Sequence, residues 1–235
     1  MKQHKAIFNW SGGKDSALAL YHILNDEKFD VTQLVTTVNS KFNRISMHGV
    51  RNELLTAQGK EIGLPIQRIL LPETPSMEDY DAIMKRQLIE INKQKITHSI
   101  FGDIFLEDLR TYRETRLKEV GLQGYFPLWK RNTTELVNEF IDLGFKTMIV
   151  CCKAELLGSE FTGRVIDKEL LKDLPKNVDP CGENGEFHTF VFDGPIFKNP
   201  IQFKIGEKTY KEYEISKDDN SKKESGFHFC DLIPV

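Results

Sequence analysis

A short glycine-containing segment, residues 11–16, reads SGGKDS and limits the folds that this chain can adopt. An apolar run over residues 6–10 precedes it and predicts a buried strand, and a second apolar run over residues 17–21 predicts the inner face of a helix. In this order, the free N–H groups and the positive end of the helix point at the glycine turn. The segment therefore predicts a phosphate-binding site at the first strand–helix junction of an α/β fold.

Each residue of this segment has a role in that prediction. The two glycines allow a tight turn and bring backbone N–H groups close to a ligand. The serines add hydroxyl donors, and the lysine adds a mobile positive charge. A carboxylate beside bound phosphate is explained by a Mg²⁺ ion that bridges the two, so Asp15 is predicted as a metal ligand and a catalytic residue. The predicted nucleotide contacts here are Ser11, Gly12, Gly13, Lys14, Asp15 and Ser16.

The spacing of the segment separates it from the commoner nucleotide-binding loops. Neither the Walker A pattern nor the dinucleotide pattern G-x-G-x-x-G is present. The segment instead resembles the PP-loop of ATP pyrophosphatases, enzymes that split ATP between its α- and β-phosphates. That resemblance implies an adenylating enzyme that uses ATP and Mg²⁺. The alternative is an ordinary strand–helix turn with a serine cap, but the order, the flanks and the N-terminal position favour phosphate binding.

Composition limits the size of the core and the kinds of partner that this chain can have. The chain has 235 residues and a hydrophobic content of 40%, enough for a sizeable core in one domain or in one domain with an appendage. Its net charge of −3 argues against broad nucleic-acid or membrane binding. No apolar run is long enough to span a bilayer, and no signal peptide is expected. Four cysteines without a C-x-x-C pair predict the reducing cytoplasm.

Residues 31–152 alternate between strand and helix patterns four times. This alternation predicts a mostly parallel sheet flanked by helices, with strands over residues 31–38, 66–71, 98–101 and 146–152. The pattern changes near residue 153. We therefore expect an ATP-binding α/β domain over residues 1–150 and a smaller C-terminal α+β domain over residues 151–235.

Ligands of such sheets bind beyond the carboxyl ends of the strands. His48 follows the second strand, and Gly102 and Asp103 follow the fourth, so all three are predicted nucleotide contacts. A solvated helix start is an equal alternative for His48, and Arg51 is expected to lie on the surface.

Three arginines lie on the helix predicted over residues 107–120 and are spaced to stay near one another. Surface ion pairs are expected for at least two of them, and an anionic pocket is the alternative. These arginines are Arg110, Arg113 and Arg116.

A second concentration of chemical groups lies in residues 177–189. Glycines, acids, one cysteine and one histidine stand between a proline and a predicted strand, which is typical of a functional loop. A polar turn is the plain alternative. A structural zinc site is disfavoured because Cys181 and His188 alone do not supply four ligands.

Five motifs occur in the order found in diphthine–ammonia ligases, and the chain resembles that family over roughly residues 5–197. The loop over residues 181–187 is the most specific of these motifs. Residues 184–186 read AsnGlyGlu and residues 188–189 read HisThr, where eukaryotic members usually have GlyGlyGlu and GluThr. The extra C-terminal domains of the long eukaryotic forms are not expected here. The resemblance implies a short, free-standing member that uses ATP. The five motifs are residues 10–16, 102–103, 127–129, 163–164 and 181–187.

The resemblance implies ATP-dependent amide formation, in which a carboxylate is adenylated and ammonia then displaces AMP. Ammonia must be neutral to attack, so a carboxylate has to hold ammonium and take its proton. Glu183 and Glu186 are the predicted catalytic residues, with Asp103 as a third candidate, and Cys181 is assigned to loop structure. The acid is unidentified and belongs to a small molecule or to a protein side chain. Whether the protein forms a homo-oligomer is an open question at this point.

Two other functions are open at this point. One is a module that binds ATP or AMP without turnover, although such a module has no need of the loop over residues 181–188. The other is a PP-loop enzyme that thiolates tRNA, against which the net charge and the missing C-x-x-C pair count.

The C-terminal residues alternate at a strand period. A hairpin is predicted from residues 201–205 and 210–214, turning at Gly206 and Glu207. Residues 216–225 are charged and expected to be mobile, and residues 226–233 predict a closing strand.

Overall fold

Two β-sheets organise the fold in the computed structural model, which describes residues 4–42, 44–45, 49–216 and 222–235. The first sheet is built from the strands β1 (His4–Asn9), β2 (Phe29–Asn39), β3 (Arg44–Ile45), β4 (Ile66–Leu71), β5 (His98–Ile100) and β6 (Gln123–Tyr125). Its parallel strands run in the order β4-β2-β1-β5-β6, and only the two-residue β3 pairs antiparallel, with β2.

Helices connect these parallel strands, because neighbouring parallel strands need a crossover between them. The helices are α1 (Lys14–Leu24), α2 (Asn52–Ile62), α3 (Met77–Lys93) and α4 (Glu107–Glu119). The predicted fold class, a mostly parallel sheet flanked by helices, is confirmed. None of the helices in the described ranges is both long and apolar enough to cross a bilayer.

The second sheet is antiparallel, in the order β8-β7-β10-β9. Its strands are β7 (Lys146–Lys153), β8 (Phe187–Asp193), β9 (Phe203–Ser216) and β10 (Lys222–Pro234). Helix α5 (Thr133–Asp142) leads into it, and a 3₁₀ turn (Ser159–Phe161) and α6 (Lys168–Asp173) lie between β7 and β8. One apolar cluster joins the two sheets, since it contains Phe8 of β1, Leu20 of α1 and Phe190 of β8.

The strand over residues 146–152 exists, but the prediction that it continues the parallel sheet is wrong. It pairs antiparallel with β8, where Thr147 faces Val191, and with β10, where Cys151 faces Phe229. An apolar run buried on both faces fits a central strand of either kind of sheet, so its sequence did not identify its partners. The predicted domain boundary at residue 150 falls inside this strand.

The predicted hairpin at Gly206 is also wrong. β9 continues through this glycine without a turn. It pairs with β10 in a ladder that begins with Phe203 opposite Pro234. A side chain at Gly206 would come within 3.0 Å of Ile233, and the ladder shifts register nearby, between Cys230 and Leu232. The glycine therefore marks a close approach within a strand and not a turn. β10 confirms the predicted closing strand, whereas residues 217–221 lie outside the described residues.

Two smaller differences concern short elements. The helix predicted over residues 165–174 is limited to α6, because Asp167 caps it by accepting from the backbone N–H groups of Glu169 and Leu170. Val165 instead bridges to Met148 of β7. The three-residue β6 was not predicted, since it has no run of β-branched residues.

Candidate active site

The glycine segment forms the junction of β1 and α1, as predicted. Gly13 is the N-cap of α1, so the N-cap residue is not the serine of the alternative. Instead, the Ser11 hydroxyl donates to the Ser16 hydroxyl at 3.0 Å, and Ser16 donates to the Gly13 carbonyl at 2.8 Å. The start of the helix thus faces a cleft of about 1280 Å³ that these residues line.

Gln58 holds the glycine turn in place through hydrogen bonds, a role that its position in the sequence did not reveal. The side chain is fully buried, and its amide donates to the carbonyl oxygens of Gly12 at 3.0 Å and Val191 at 2.7 Å. It also accepts from the Trp10 indole at 2.9 Å. Gly12 has a φ of +80°, and a Cβ there would lie 2.8 Å from Gln58, so both the backbone and the available space require glycine. The only signal in the sequence was a glutamine on an apolar helix face.

Lys14 is not the mobile charge that was predicted. Its side chain is 4% exposed, and its ammonium lies 2.9 and 2.8 Å from the two carboxylate oxygens of Asp15. The same ammonium donates to the carbonyl of Cys181. Burial alone lowers the pKa of Lys14, but Asp15 and the other negative groups nearby outweigh it and raise the pKa. Lys14 therefore links the two glycine loops, residues 11–16 and residues 181–188, through hydrogen bonds of its charged ammonium group.

Thr189 makes a second link between these two parts of the chain. Its hydroxyl accepts from the backbone N–H of Lys14 at 3.0 Å, and the backbone N–H of Val191 donates to Gly12 at 2.9 Å. β8 therefore holds the start of α1 in place. Both glycine loops line the same cleft, as the sequence predicted.

Glu183 lies in the cleft wall, and one of its carboxylate oxygens accepts from the backbone N–H groups of Ile104 at 2.8 Å and Phe105 at 3.3 Å. Burial raises the pKa of Glu183 to about 7, and the charge of Asp15 adds to this shift, while the two N–H groups and Lys14 oppose it. A carboxyl group with this pKa exchanges protons readily near neutral pH.

Glu186 has different surroundings, although it belongs to the same loop. It is 3% exposed and is not among the residues that line the cleft. Its carboxylate accepts from the backbone N–H of Asp179 at 3.1 Å and from the backbone and side chain of Asn184 at 2.9 and 3.1 Å. These contacts fix the loop, so the geometry accounts for Glu186 without a ligand.

Gly102 and Asp103 lie at the carboxyl end of β5, beside the glycine segment. A Cβ at Gly102 would lie 3.0 Å from the backbone of Asp15, which is a tight contact that glycine avoids. Asp103 lines the cleft and accepts from Arg113. Burial raises the pKa of Asp103, although Arg113 opposes the shift.

The three arginines of α4 differ in position. Surface ion pairs were expected for at least two of the three, and Arg110 and Arg116 form them; Arg116 pairs with Glu119 at 3.0 Å, and its side chain is 44% exposed. Arg113 and Arg116 also line the cleft. Arg113 stacks on the Phe101 ring, 4.4 Å from its centroid. Arg110 forms the expected surface ion pair with Glu114 at 2.8 Å.

Two predictions about the loop after β2 have different outcomes. His48 lies outside the described residues, so its nucleotide contact stays a prediction. Arg51 is not a plain surface residue, because it forms an ion pair with Asp231 at 2.6 Å.

Cys181 is buried, and its thiol donates to the Thr133 carbonyl at 3.2 Å. Burial raises the pKa of this thiol to about 12, which disfavours the reactive thiolate form at neutral pH. The predicted role in loop structure fits these contacts.

A Mg²⁺ ion fits this cleft only together with a phosphate ligand. Over residues 4–42, 44–45, 49–216 and 222–235, no group of three or more His, Cys, Asp or Glu side chains is placed to hold a metal ion. Magnesium is normally bound by one or two carboxylates and by substrate phosphates. Asp15 lines the cleft beside the start of α1 and meets that lower requirement.

Comparison with known proteins identifies the family. The family model described as the diphthamide synthase N-terminal domain matches residues 4–124, and that for the C-terminal domain matches residues 132–221. The U34-tRNA thiolase NcsA from Methanococcus maripaludis, solved with its [4Fe-4S] cluster, is 17% identical, with a TM-score of 0.37 over 61% of this chain and 58% of that one.

Curated relatives carry the name diphthine–ammonia ligase. That of Schizosaccharomyces pombe is 26% identical over 211 residues, covering 81% of this chain and 34% of the relative. The human protein is 32% identical over 136 residues, covering 55% of this chain and 49% of the relative. The chain thus spans between about a third and a half of the length of these relatives. From the two domain matches together, the chain belongs to the diphthamide synthase family.

Proposed function

We propose that this protein is an ATP-dependent ligase that adenylates a carboxylate, releases pyrophosphate, and joins the activated acid to ammonia. Family membership and the name of the relatives, diphthine–ammonia ligase, support this proposal. Diphthine is accordingly the first acid to test.

The observation that carries the proposal is the junction of the two glycine loops at Lys14. One loop offers N–H groups at a helix start, which suit phosphate. The other offers Glu183, which suits proton transfer. Lys14 joins the two loops through Asp15 and Cys181, and residues of both loops line one cleft, which supports the proposal.

In the proposed first step, a carboxylate oxygen of the acid attacks the α-phosphorus of ATP. The bond to the β-phosphate breaks, and pyrophosphate leaves with the electron pair. Residues 11–16 hold the pyrophosphate, and Asp15 would hold a Mg²⁺ ion that neutralises negative charge on it. Catalysis at this stage is positioning and electrostatics.

In the proposed second step, Glu183 takes a proton from ammonium and releases neutral ammonia. The nitrogen attacks the acyl carbon, AMP leaves with the electron pair of the C–O bond, and the nitrogen loses a further proton to solvent to give the neutral amide. Glu183 is suited to this role because its pKa of about 7 lets it hold and lose a proton at neutral pH. We assign Glu186 to positioning of the loop, in view of its contacts with Asp179 and Asn184.

The test is pyrophosphate release from Mg·ATP in the presence of a diphthine-bearing acceptor, with and without ammonium. We expect AMP and pyrophosphate as products, and amide formation that falls by about 100-fold or more in Glu183→Gln, because a general base typically contributes that much. Glu169→Gln is the control, since the Glu169 side chain is 75% exposed on α6. ADP and phosphate as products, or turnover that ignores both ammonium and Glu183, would rule the proposal out.

The two alternatives predict other results in the same assay. A nucleotide-binding module would bind ATP and release no pyrophosphate. A thiolating enzyme would modify bulk tRNA when a sulfur donor is supplied. The four cysteines of the chain are all buried, which disfavours sulfur transfer through them.

A further inference from the structure

Asp231 lies on β10, in the antiparallel sheet, yet its carboxylate binds two arginines that follow β2 of the parallel sheet. Arg44 donates to one carboxylate oxygen at 2.9 Å. Arg51 donates to both oxygens, at 3.2 and 2.6 Å, in a two-pronged contact. This geometry is the strong form of a charge-assisted hydrogen bond.

The two arginines need such a partner because of where they stand. Arg44 and Arg51 face each other in an antiparallel bridge, and like charges placed directly opposite are destabilising. Asp231 supplies the opposite charge between them, and its side chain is only 20% exposed, so solvent screens it weakly. The arginine pair is therefore stable as long as Asp231 is charged.

This arrangement fixes two short pieces of chain, residues 44–45 and 49–51, which we call the paired segments. The Ile45 N–H donates to Val50 at 2.9 Å, and the Gly49 N–H donates to Ile45 at 3.1 Å. Arg44 also donates to the Gly49 carbonyl at 2.6 Å.

The Phe229 ring of β10 also lies close to the paired segments, because a Cβ added at Gly49 would be 3.6 Å from it. Asp231 therefore holds a piece of chain that belongs to the other sheet, at a place where β10 runs close beside it.

The paired segments also touch the cleft. Ile45 lines it, together with Thr36 of β2 and Leu71 of β4. They follow the carboxyl end of β2, the side on which open α/β sheets bind their ligands. Any change that frees Ile45 thus changes the wall of the cleft.

We infer that Asp231 is a positioning residue for the nucleotide site, acting through Arg44 and Arg51 to hold Ile45 in the cleft wall. The inference rests on the proposed use of ATP. It makes β10 a support of the nucleotide site, although Asp231 itself does not line the cleft.

The test compares Asp231→Asn with Asp193→Asn in the full chain. Asp193 is a matched control: it pairs with Lys146 at 2.9 Å, its side chain is 23% exposed, and it does not line the cleft. In ligand-free protein, we expect the Ile45 and Gly49 amides to exchange with solvent about ten-fold faster in Asp231→Asn and at the wild-type rate in Asp193→Asn. We also expect Mg·ATP to bind about ten-fold more weakly to Asp231→Asn alone.

A charge swap separates positioning from a general loss of stability. The double variant Arg51→Asp/Asp231→Arg keeps two cations and one carboxylate at this place, so exchange and affinity should return to within about three-fold of wild type. Unchanged exchange in Asp231→Asn, or faster exchange with unchanged Mg·ATP affinity, would overturn the inference. A wild-type protein that binds no Mg·ATP would instead refute the proposed function, and exchange would still show whether Asp231 holds the paired segments.

Discussion

Glu183 and Glu186 are three residues apart in one loop, and their surroundings give them different chemistry. Glu186 is enclosed by N–H donors of its own loop. Glu183 has two backbone donors, but burial dominates and raises its pKa. Counting acids in a loop identified both as candidates. Only the folded positions separate a carboxylate that fixes the loop from one that can exchange a proton.

The raised pKa of Glu183 predicts a pH-dependent cost in stability. Between the ordinary pKa of 4.5 and about 7, the folded protein keeps a proton that the unfolded chain releases. The free energy of unfolding therefore falls as pH rises through this window, and the loss is complete above pH 7. Glu183→Gln cannot ionise, so we expect it to be more stable than wild type by up to about 3 kcal/mol at pH 8 and by little at pH 4.

Urea unfolding of ligand-free wild type, Glu183→Gln and the control Glu169→Gln at pH 4 and pH 8 measures this difference. A Glu183→Gln variant that is less active but more stable at pH 8 is typical of a functional residue. Equal stabilities of Glu183→Gln and wild type at both pH values would contradict the assigned pKa.

At the scale of elements, the existence of strands was predictable and their partners were not. The apolar pattern located β4 at its observed bounds, residues 66–71, and placed a strand at β7. Nothing in the sequence of β7 indicates that its neighbours are β8 and β10, because burial on both faces is common to central strands of either sheet. The glycine in β9 was equally ambiguous, since a glycine suits both a turn and a close contact between neighbouring strands.

β7 offers a test of this placement. Thr147 faces Val191 of β8, is fully buried, and its hydroxyl has no hydrogen-bond partner among the described residues. A buried hydroxyl without a partner costs free energy. We expect Thr147→Val to raise the free energy of unfolding by about 1 kcal/mol.

Thr189→Val is the matched comparison on the neighbouring strand. Its hydroxyl accepts from the Lys14 backbone, so we expect this change to lower stability by about 1–3 kcal/mol and to weaken Mg·ATP binding. Chemical denaturation of both variants decides the matter. A Thr147→Val variant that is destabilised as much as Thr189→Val would argue against the position given to β7.

At the scale of the whole molecule, two sheets of different kinds share one core and one cleft. The sequence predicted both glycine loops and their meeting, because each has a composition typical of a ligand site. It did not predict the residues that join them. Lys14 was expected to move freely, and the roles of Gln58, Thr189 and Asp231 depend on contacts between distant parts of the chain. Such contacts leave no local pattern in a single sequence.

We propose above that a carboxylate attacks the α-phosphate of ATP in this cleft. The most direct measurement uses a diphthine-bearing acceptor labelled with ¹⁸O in its carboxylate, incubated with Mg·ATP, ammonium and the wild-type protein. The attacking oxygen stays on phosphorus when ammonia displaces AMP, so mass spectrometry of the products locates it. We expect AMP that carries one ¹⁸O atom. Amide formation with ¹⁸O in inorganic phosphate and with ADP as the other product would contradict it.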